Sequence, residues 1–337
     1  MKTRLAQKPL IREWMSPAAK KFRRDFPNFI ERLPDYSFLD KKSFKIDGYF
    51  VGQNVGSVVL KVKDKHGVYV VKSLLDPQEI TTEAAFLEKW RKIGADTIKV
   101  FELVTSKGGF PITAAILEYI PKMTTEEELE NKKGKNKVTV YRKLGQSLTV
   151  LHKAKGTGFG QVVTTRVLKG RYKTFGQERN AVLTLKRQRT LIASRLIRKE
   201  DLALIPRAIK IVENDIKRSQ PSLIHGDPGL FNTFGTASLK FFDPDPKVSH
   251  PLEDVAIALI WASLEEKNPK VMRSSLVAGY KSKQKYNDSV LQAVLFLKLL
   301  EKWEWWLHRG KSDKYALGWI RKTKGIFADA KKQLKMV

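Results

Sequence analysis

Asp227, Asn232 and Asp243 are the residues whose types and spacing could do chemistry together. Asp227 and Asn232 lie in the run Ile224-His225-Gly226-Asp227-Pro228-Gly229-Leu230-Phe231-Asn232, which follows a short apolar strand and reads as a loop. Asp243 stands eleven residues beyond Asn232, after Phe241-Phe242 and before Pro244-Asp245-Pro246. A carboxylate, an amide five residues later and a second carboxylate beyond a β-hairpin form the acidic half of a phosphoryl-transfer site. Such a site needs one carboxylate to orient an attacking hydroxyl and accept its proton, a part that falls to Asp227. It also needs hard oxygen donors to hold Mg²⁺ against nucleotide phosphates, a part that falls to the Asn232 amide oxygen and the Asp243 carboxylate. Asp245 reads equally as a further metal-shell ligand or as a Pro-flanked turn residue. His225 and His152 read as hydrogen-bonded structural residues and not as bases.

The other half of the site must bring positive charge and backbone donors. Gly52-Gln53-Asn54-Val55-Gly56 could form a tight turn over phosphates, with Gly52 and Gly56 at its ends. Lys72 sits in the strand-like run 68–75, where its ammonium could point into a cleft. Glu83, on the next predicted helix, is the partner that would hold Lys72 extended. It is preferred to Glu79 and Glu88 because it precedes Leu87 and Trp90 at the helical offsets that pack inward. Backbone groups from Glu118 to Ile120 would meet the adenine. Alone, each signal is weak: the glycines suit any hairpin, Lys72 suits an edge strand, and Glu83 suits any first helical turn.

These residues need elements to place them. Residues 1–43 are basic and broken by Pro17, Pro27 and Pro34, and read as an extension against the main body. Ser16-Pro17 could open a short helix there. Residues 44–120 read as a small β-rich lobe. Strands are predicted at 49–51, 57–62 and 68–72 as an antiparallel meander, then a helix over 81–93 stopped by Gly94, then strands at 98–104 and 112–119. Residues 121–337 read as a larger helical lobe that carries the Asp227 loop and the acceptor site. Helices are predicted at 138–152, 178–199, 201–218 and after Pro251, with brief strands at 222–224 and 239–242. Gly158-Phe159-Gly160 reads as a turn. The cluster Trp303, Trp305 and Trp306 reads as packing, or as a pocket wall, since indole faces bind cations.

In this order the motifs resemble the aminoglycoside-phosphotransferase and choline-kinase branch of the protein-kinase-like fold, over roughly residues 45–262. The resemblance rests on His225-Gly226-Asp227 with Asn232, on Asp243 after two aromatics, and on Glu83-Ala84-Ala85-Phe86-Leu87. It rests also on Leu151-His152 followed by Gly158-Phe159-Gly160, and on Pro251-Leu252-Glu253-Asp254-Val255-Ala256. It implies an α+β bilobal fold with a small antiparallel-sheet N-lobe and a larger, mainly helical C-lobe. It implies Asp227 as catalytic base, Asn232 and Asp243 as metal ligands, Lys72 on the α- and β-phosphates with Glu83 as its partner, and Asp254 bracing the catalytic loop. The implied activity is transfer of the γ-phosphoryl group of Mg-ATP to a hydroxyl of a small molecule. A protein kinase fits less well, because no Ala-Pro-Glu-like motif follows Asp243.

Composition bounds the rest. The 337 residues contain no cysteine, which excludes disulfides, thiolate metal sites and a cysteine nucleophile. The formal charge is +29, and residues 151–220 alone hold 17 Lys and Arg against 5 Asp and Glu. A surface of this sign attracts polyanions. It disfavours a polycationic acceptor and suits an acidic or phosphorylated one, or a sugar. It also leaves an alternative, a kinase-like binding module that uses its basic face for nucleic acid or an anionic membrane. The N-terminus lacks the apolar core of a secretory signal. The longest apolar stretch, 255–262, is far short of the ~20 residues a membrane span needs. The sequence therefore reads as a soluble, cytoplasmic protein.

Overall fold

The computed structural model describes residues 5–11, 15–50, 56–105, 109–131, 136–309 and 314–336. The first lobe is built on a six-stranded sheet, every neighbouring pair antiparallel. In chain order its elements are β1 (Leu5–Ala6), α1 (Pro17–Ile30), β2 (Lys45–Phe50), β3 (Ser57–Asp64), β4 (Gly67–Leu74), α2 (Pro77–Lys92), β5 (Val100–Val104) and β6 (Ala114–Glu118). The strand order is β1-β2-β3-β4-β6-β5, which puts β4 in the interior. The turn between β3 and β4 is closed by Asp64, whose Oδ1 accepts from the N–H groups of His66 (2.8 Å) and Gly67 (3.1 Å).

Successive side chains of a strand face opposite ways, and β4 divides its residues accordingly. Tyr69 and Val71 pack with Leu60, Val62, Ala114 and Ile116 on the outer face. Ala115, Leu117 and Leu74 belong to the other core, with Phe86, Leu87 and Trp90 of α2. The outer face is covered by Phe26, Ile30, Leu33 and Leu39. The basic N-terminal stretch is thus more than an extension beside the lobe, since it supplies the lobe's outer layer. Ser16 caps α1 by accepting from the Ala19 N–H (3.2 Å). Ser16→Ala is expected to cost about 1 kcal/mol of stability, read as a lower urea midpoint with an unchanged m-value.

The second lobe contains α3 (Thr125–Asn131), α4 (Lys137–Leu151), β7 (Phe159–Thr164), β8 (Lys169–Tyr172), α5 (Phe175–Val182), α6 (Leu185–Ala193) and α7 (Leu204–Ile216). It continues through β9 (Ser222–Ile224), β10 (Thr233–Phe234), β11 (Lys240–Phe241), β12 (Lys247–Ser249), α8 (Leu252–Glu265), α9 (Pro269–Lys281), α10 (Asp288–Arg309) and α11 (Lys314–Met336). A second sheet has the order β8-β7-β12-β9, and β10 pairs with β11 as a separate hairpin. Two expectations fail here. The single helix predicted over 178–199 is α5 and α6, because the chain breaks at Leu183 and Thr184 caps the next helix from its own side chain (Arg187 N–H to Oγ1, 3.4 Å). Gly158 is a bend, but Phe159 and Gly160 already belong to β7 and not to a free turn, with both glycines at positive φ (+69° and +83°).

The lobes join at the crossing after β6 and again beside β11. There the N–H of Ile98 donates to the Phe241 carbonyl (3.0 Å), and the N–H of Phe241 donates to the Asp96 carbonyl (2.9 Å). This second link ties the segment after α2 to the strand that leads into Asp243. Helix α8 is buried almost all round, as an interior spine must be. Among the described residues no helix is long and apolar enough to cross a membrane.

Candidate active site

Lys72 stands on the interior strand β4, opposite Val59 on one side and Ala115 on the other. Its side chain leaves the face opposite Val71 and reaches two carboxylates. Nζ donates to Glu83 Oε2 (2.6 Å) and to Asp243 Oδ1 (2.5 Å). Glu83 is placed by α2, which starts sharply at Asp76, whose Oδ1 accepts from the Gln78 N–H (2.8 Å), with Pro77 in the first turn. The buried stripe Ile80, Glu83, Ala84, Leu87 then carries Glu83 inward. Lys72 and Glu83 are 6% and 2% exposed, whereas the Asp243 side chain is 56% exposed.

The charges follow from this arrangement. Burial disfavours the Lys72 ammonium, but the charges of Asp243 and Glu83 outweigh it and raise its pKa above that of a free lysine. Burial pushes Glu83 up to about 7, with Lys72 pulling it down. Burial also works against the Asp243 carboxylate, yet Lys72 outweighs it and lowers that pKa.

Asp243 has left-handed backbone (φ +52°), a conformation that costs a non-glycine residue about 1 kcal/mol or more. The strain is held from both sides. The Phe242 N–H donates to the Asn232 carbonyl (3.1 Å), and the Asp245 N–H donates to the His225 carbonyl (2.8 Å). The Asp245 side chain is exposed.

The loop after β9 is pinned by Asp254, in the first turn of α8. Its Oδ2 accepts from the His225 N–H (2.8 Å) and pairs with His152 Nε2 (3.0 Å), and its Oδ1 accepts from the Gly226 N–H (2.8 Å). Gly226 has φ +79°, and a Cβ there would sit 1.9 Å from the Asp245 carbonyl oxygen, so only glycine fits. His225 uses both ring nitrogens. Nδ1 accepts from the Asp227 N–H (3.3 Å), which leaves Nε2 to donate to the Phe242 carbonyl (3.1 Å). Its ring stacks on Trp90 at 6.0 Å between centroids, and burial lowers its pKa. It is a neutral strut between the Asp227 and Asp243 turns.

Asp227 is gripped at both carboxylate oxygens. Trp261 Nε1 donates to Oδ1 (2.7 Å), and Asn232 Nδ2 donates to Oδ2 (3.1 Å) and to the Asp227 carbonyl (2.9 Å). Burial raises the Asp227 pKa, with the charge of Lys302 and the Trp261 hydrogen bond working against the rise. Asn232 spends its amide nitrogen on Asp227, which leaves its amide oxygen as the donor atom for a cation. Among the described residues no three His, Asp or Glu side chains form a metal cage. The donors that fit are two, the Asn232 amide oxygen and the half-exposed Asp243 carboxylate. That set suits Mg²⁺, which keeps water and phosphate oxygens in much of its shell.

The structure brings together Lys72, Glu83 and Asp243 as one group and Asp227 and Asn232 as another, with His225 between them. Gly52 lies outside the described residues. Gly56 stands at the foot of β3, and its carbonyl accepts from the Leu75 N–H (2.7 Å). The Glu118 N–H is taken by the Lys99 carbonyl (2.9 Å), and its carboxylate accepts from the Lys99 N–H (3.0 Å) and from Lys240 Nζ (3.1 Å). The Glu118 side chain therefore clamps the crossing to β11. The Ile120 carbonyl accepts from the Lys122 N–H (2.8 Å). Sequence reasoning missed Trp261 and Lys302, which belong to no local motif.

Residues 47–288, well over half of the sequence, match the phosphotransferase enzyme family. The chain belongs to that family. Its fold is the kinase-like one that the motifs implied, and its members are phosphotransferases acting on small molecules. Aminoglycoside phosphotransferase APH(4)-Ia superposes on this phosphotransferase with a TM-score of 0.63 at 12% identity, covering 92% of this chain and 98% of its own. An ethanolamine kinase of Plasmodium vivax gives 0.56 at 14% identity, covering 95% of each chain. Spectinomycin phosphotransferase APH(9)-Ia, solved with ADP and spectinomycin, gives 0.53 at 14% identity, covering 91% of this chain and 98% of its own. At these identities the likeness is one of fold. No curated protein sequence matches this phosphotransferase.

Proposed function

We propose that this phosphotransferase moves the γ-phosphoryl group of ATP to a hydroxyl of a small molecule. The observation that carries the reading is the contact between the lobes: Lys72 of the sheet reaches Glu83 beside it and Asp243 from 171 positions away. A cation held out by one carboxylate, next to a second carboxylate at a strained turn, is what a triphosphate requires. Lys72 would bind the α- and β-phosphates. Gly56 would approach the phosphates through the backbone, and the Ile120 N–H and the backbone at Glu118 would face the base. Mg²⁺ held by Asn232 and Asp243 would neutralise phosphate charge. Asp227 holds the acceptor hydroxyl in line and takes its proton as the oxygen–phosphorus bond forms and the bond to the β-phosphate oxygen breaks. The full set of paired groups weighs against a binding module that has lost catalysis.

The test is binding and turnover. At a hundred times its Kd, Mg-ATP should add about 2.7 kcal/mol to stability, a rise of several degrees in Tm. ADP should then form only when a hydroxyl compound is supplied. No shift with any Mg-nucleotide would refute the reading.

Trp261 should tune the base. Trp261→Phe removes the N–H that supports ionised Asp227. Loss of a hydrogen bond to a charged group costs about 1.5–3 kcal/mol, so kcat should fall roughly ten- to a hundred-fold. The acid limb of the kcat profile should move to higher pH, because the carboxylate is left with less stabilisation.

A further inference from the structure

We infer that Lys302 is the acceptor-binding cation of this site, and that the acceptor is an alcohol carrying a carboxylate or a phosphate. The inference rests on the phosphotransfer reading and adds the class of acceptor. Lys302, on α10, places Nζ 5.9 Å from the centre of the Trp261 ring and 5.5 Å from that of Trp305. Trp261 is the residue whose indole N–H holds Asp227 Oδ1. Two aromatic faces beside the reacting carboxylate, which could have caged a cationic acceptor, are thus filled by the protein's own ammonium. Trp303 and Trp306 are core residues, whereas Trp305 is 44% exposed and gives this ammonium an open aromatic wall.

Lys302 forms no ion pair among the described residues. The acids beside it in sequence are spent elsewhere, Glu301 on Arg179 (2.9 Å) and Lys298 (2.7 Å), and Glu304 on Arg187 (3.5 Å) and His308 (3.2 Å). Its charge is nonetheless felt at Asp227, where it favours the ionised carboxylate. A lysine held between aromatic faces with no fixed counter-ion can take an anionic group of the substrate in a charge-assisted hydrogen bond. The acids near the far end of α8 compete less than their number suggests. Glu266 is held by Lys137 (3.0 Å) and Tyr141 (3.3 Å). Burial and the neighbouring Glu126 push the Glu265 carboxyl up, which disfavours its charged form.

The experiment compares wild type, Lys302→Met and Lys302→Arg with D-glycerate and glucose 6-phosphate, with the uncharged glycerol and glucose, and with ethanolamine. Thermal shift reads binding and ADP formation reads turnover. The expected result is a larger Tm shift and a lower KM for the anionic compounds. Lys302→Met should raise KM for the best of them at least tenfold and move the acid limb of the kcat profile to higher pH, because the Lys302 charge favours ionised Asp227, and Lys302→Arg should restore most of the affinity. Preference for ethanolamine, no shift with either anionic compound, or anion binding indifferent to Lys302→Met would overturn the assignment. Anion binding that depends on Lys302 in a protein that neither binds nor turns over Mg-ATP would sustain this site and remove the phosphotransfer reading instead.

Discussion

Asp227→Asn is expected to lower kcat by about 10²- to 10⁴-fold, the usual worth of a positioned general base, and to leave the apparent affinity for Mg-ATP within a few-fold. The substitution keeps the shape of the side chain, and the loop is held by groups that do not change. Asp254 fixes the N–H groups of His225 and Gly226, and His225 fixes the Phe242 carbonyl. Lys72, Glu83 and Asp243 remain paired, so a loss confined to turnover isolates the proton acceptor. Burial raises the Asp227 pKa, and the base works only when ionised. The wild-type rate should therefore fall on acidification at a higher pH than a free aspartate would give. The same shift has a consequence for stability. A carboxyl whose folded pKa lies above its unfolded value stabilises the fold fully only below the unfolded pKa, and that contribution is lost as pH rises through the folded pKa. At neutral pH ionised Asp227 thus costs stability; Asp227→Asn removes that cost but sets its amide nitrogen against one of the two N–H groups that grip the carboxylate. Retention of more than a tenth of wild-type kcat would remove Asp227 from the role of base.

The parts of this site that could be read from the sequence are those whose geometry is local. Asp227 and Asn232 share one loop, so their spacing alone implies the contact that the Asn232 amide makes with Asp227. The choice of Glu83 over Glu79 and Glu88 followed from helical periodicity, and the buried face of α2 makes the same selection. Trp261 reaches Asp227 from 34 positions downstream and Lys302 acts on it by charge from 75, and their neighbourhood is set by how α8 and α10 cross. Nothing in the spacing of a buried apolar helix marks the one indole that reaches a carboxylate.

The missed elements fail for similar reasons. Strands β8 and β12 are short and partly charged; β8 pairs with β7 just before it, whereas β7 and β12 pair with each other across a long stretch of chain. A run such as Lys247-Val248-Ser249 has no propensity signal of its own. The helix expected at Ser16-Pro17 is α1, but the charges of Lys20, Lys21, Arg23 and Arg24 hide its apolar stripe. The stripe surfaces only when Ala19, Phe26 and Ile30 are seen buried on one side. Arg23 itself is buried there, donating to the carbonyls of Leu10 (2.7 Å) and Ser57 (2.7 Å). Charge counting treats such an arginine as surface.

Charge counting fails most completely beneath α8. Glu253 precedes the loop-bracing Asp254 and lies in a buried group of three cations and three carboxylates drawn from α5, β12, α8 and α10. Lys298 Nζ is 3.1 Å from Glu253 and 2.7 Å from Glu301, and Arg179 reaches Glu301 at 2.9 Å and Glu253 at 3.8 Å. Arg179 also grips Glu178, and Lys247 and the Ser249 hydroxyl grip Glu253. Burial alone would raise the Glu253 pKa, but Lys247, Lys298 and Arg179 carry it well below the usual carboxylate range. Glu253→Gln keeps the shape and leaves three buried cations facing two carboxylates. Breaking a buried pair from one side costs about 3–5 kcal/mol, so the urea midpoint should fall sharply, and kcat should fall with it because α8 carries Asp254 and Trp261. Adding Lys298→Met restores the balance of charge, and the double variant should recover part of the loss, a coupling that a cavity effect would not give. A carboxylate whose folded pKa is depressed contributes stability above its unfolded pKa, and that contribution is lost as pH falls through the folded value. Glu253→Gln should therefore flatten the loss of stability below about pH 5. A cost under about 1 kcal/mol, or a double variant no better than the single one, would mean that the fold does not depend on these charges being matched.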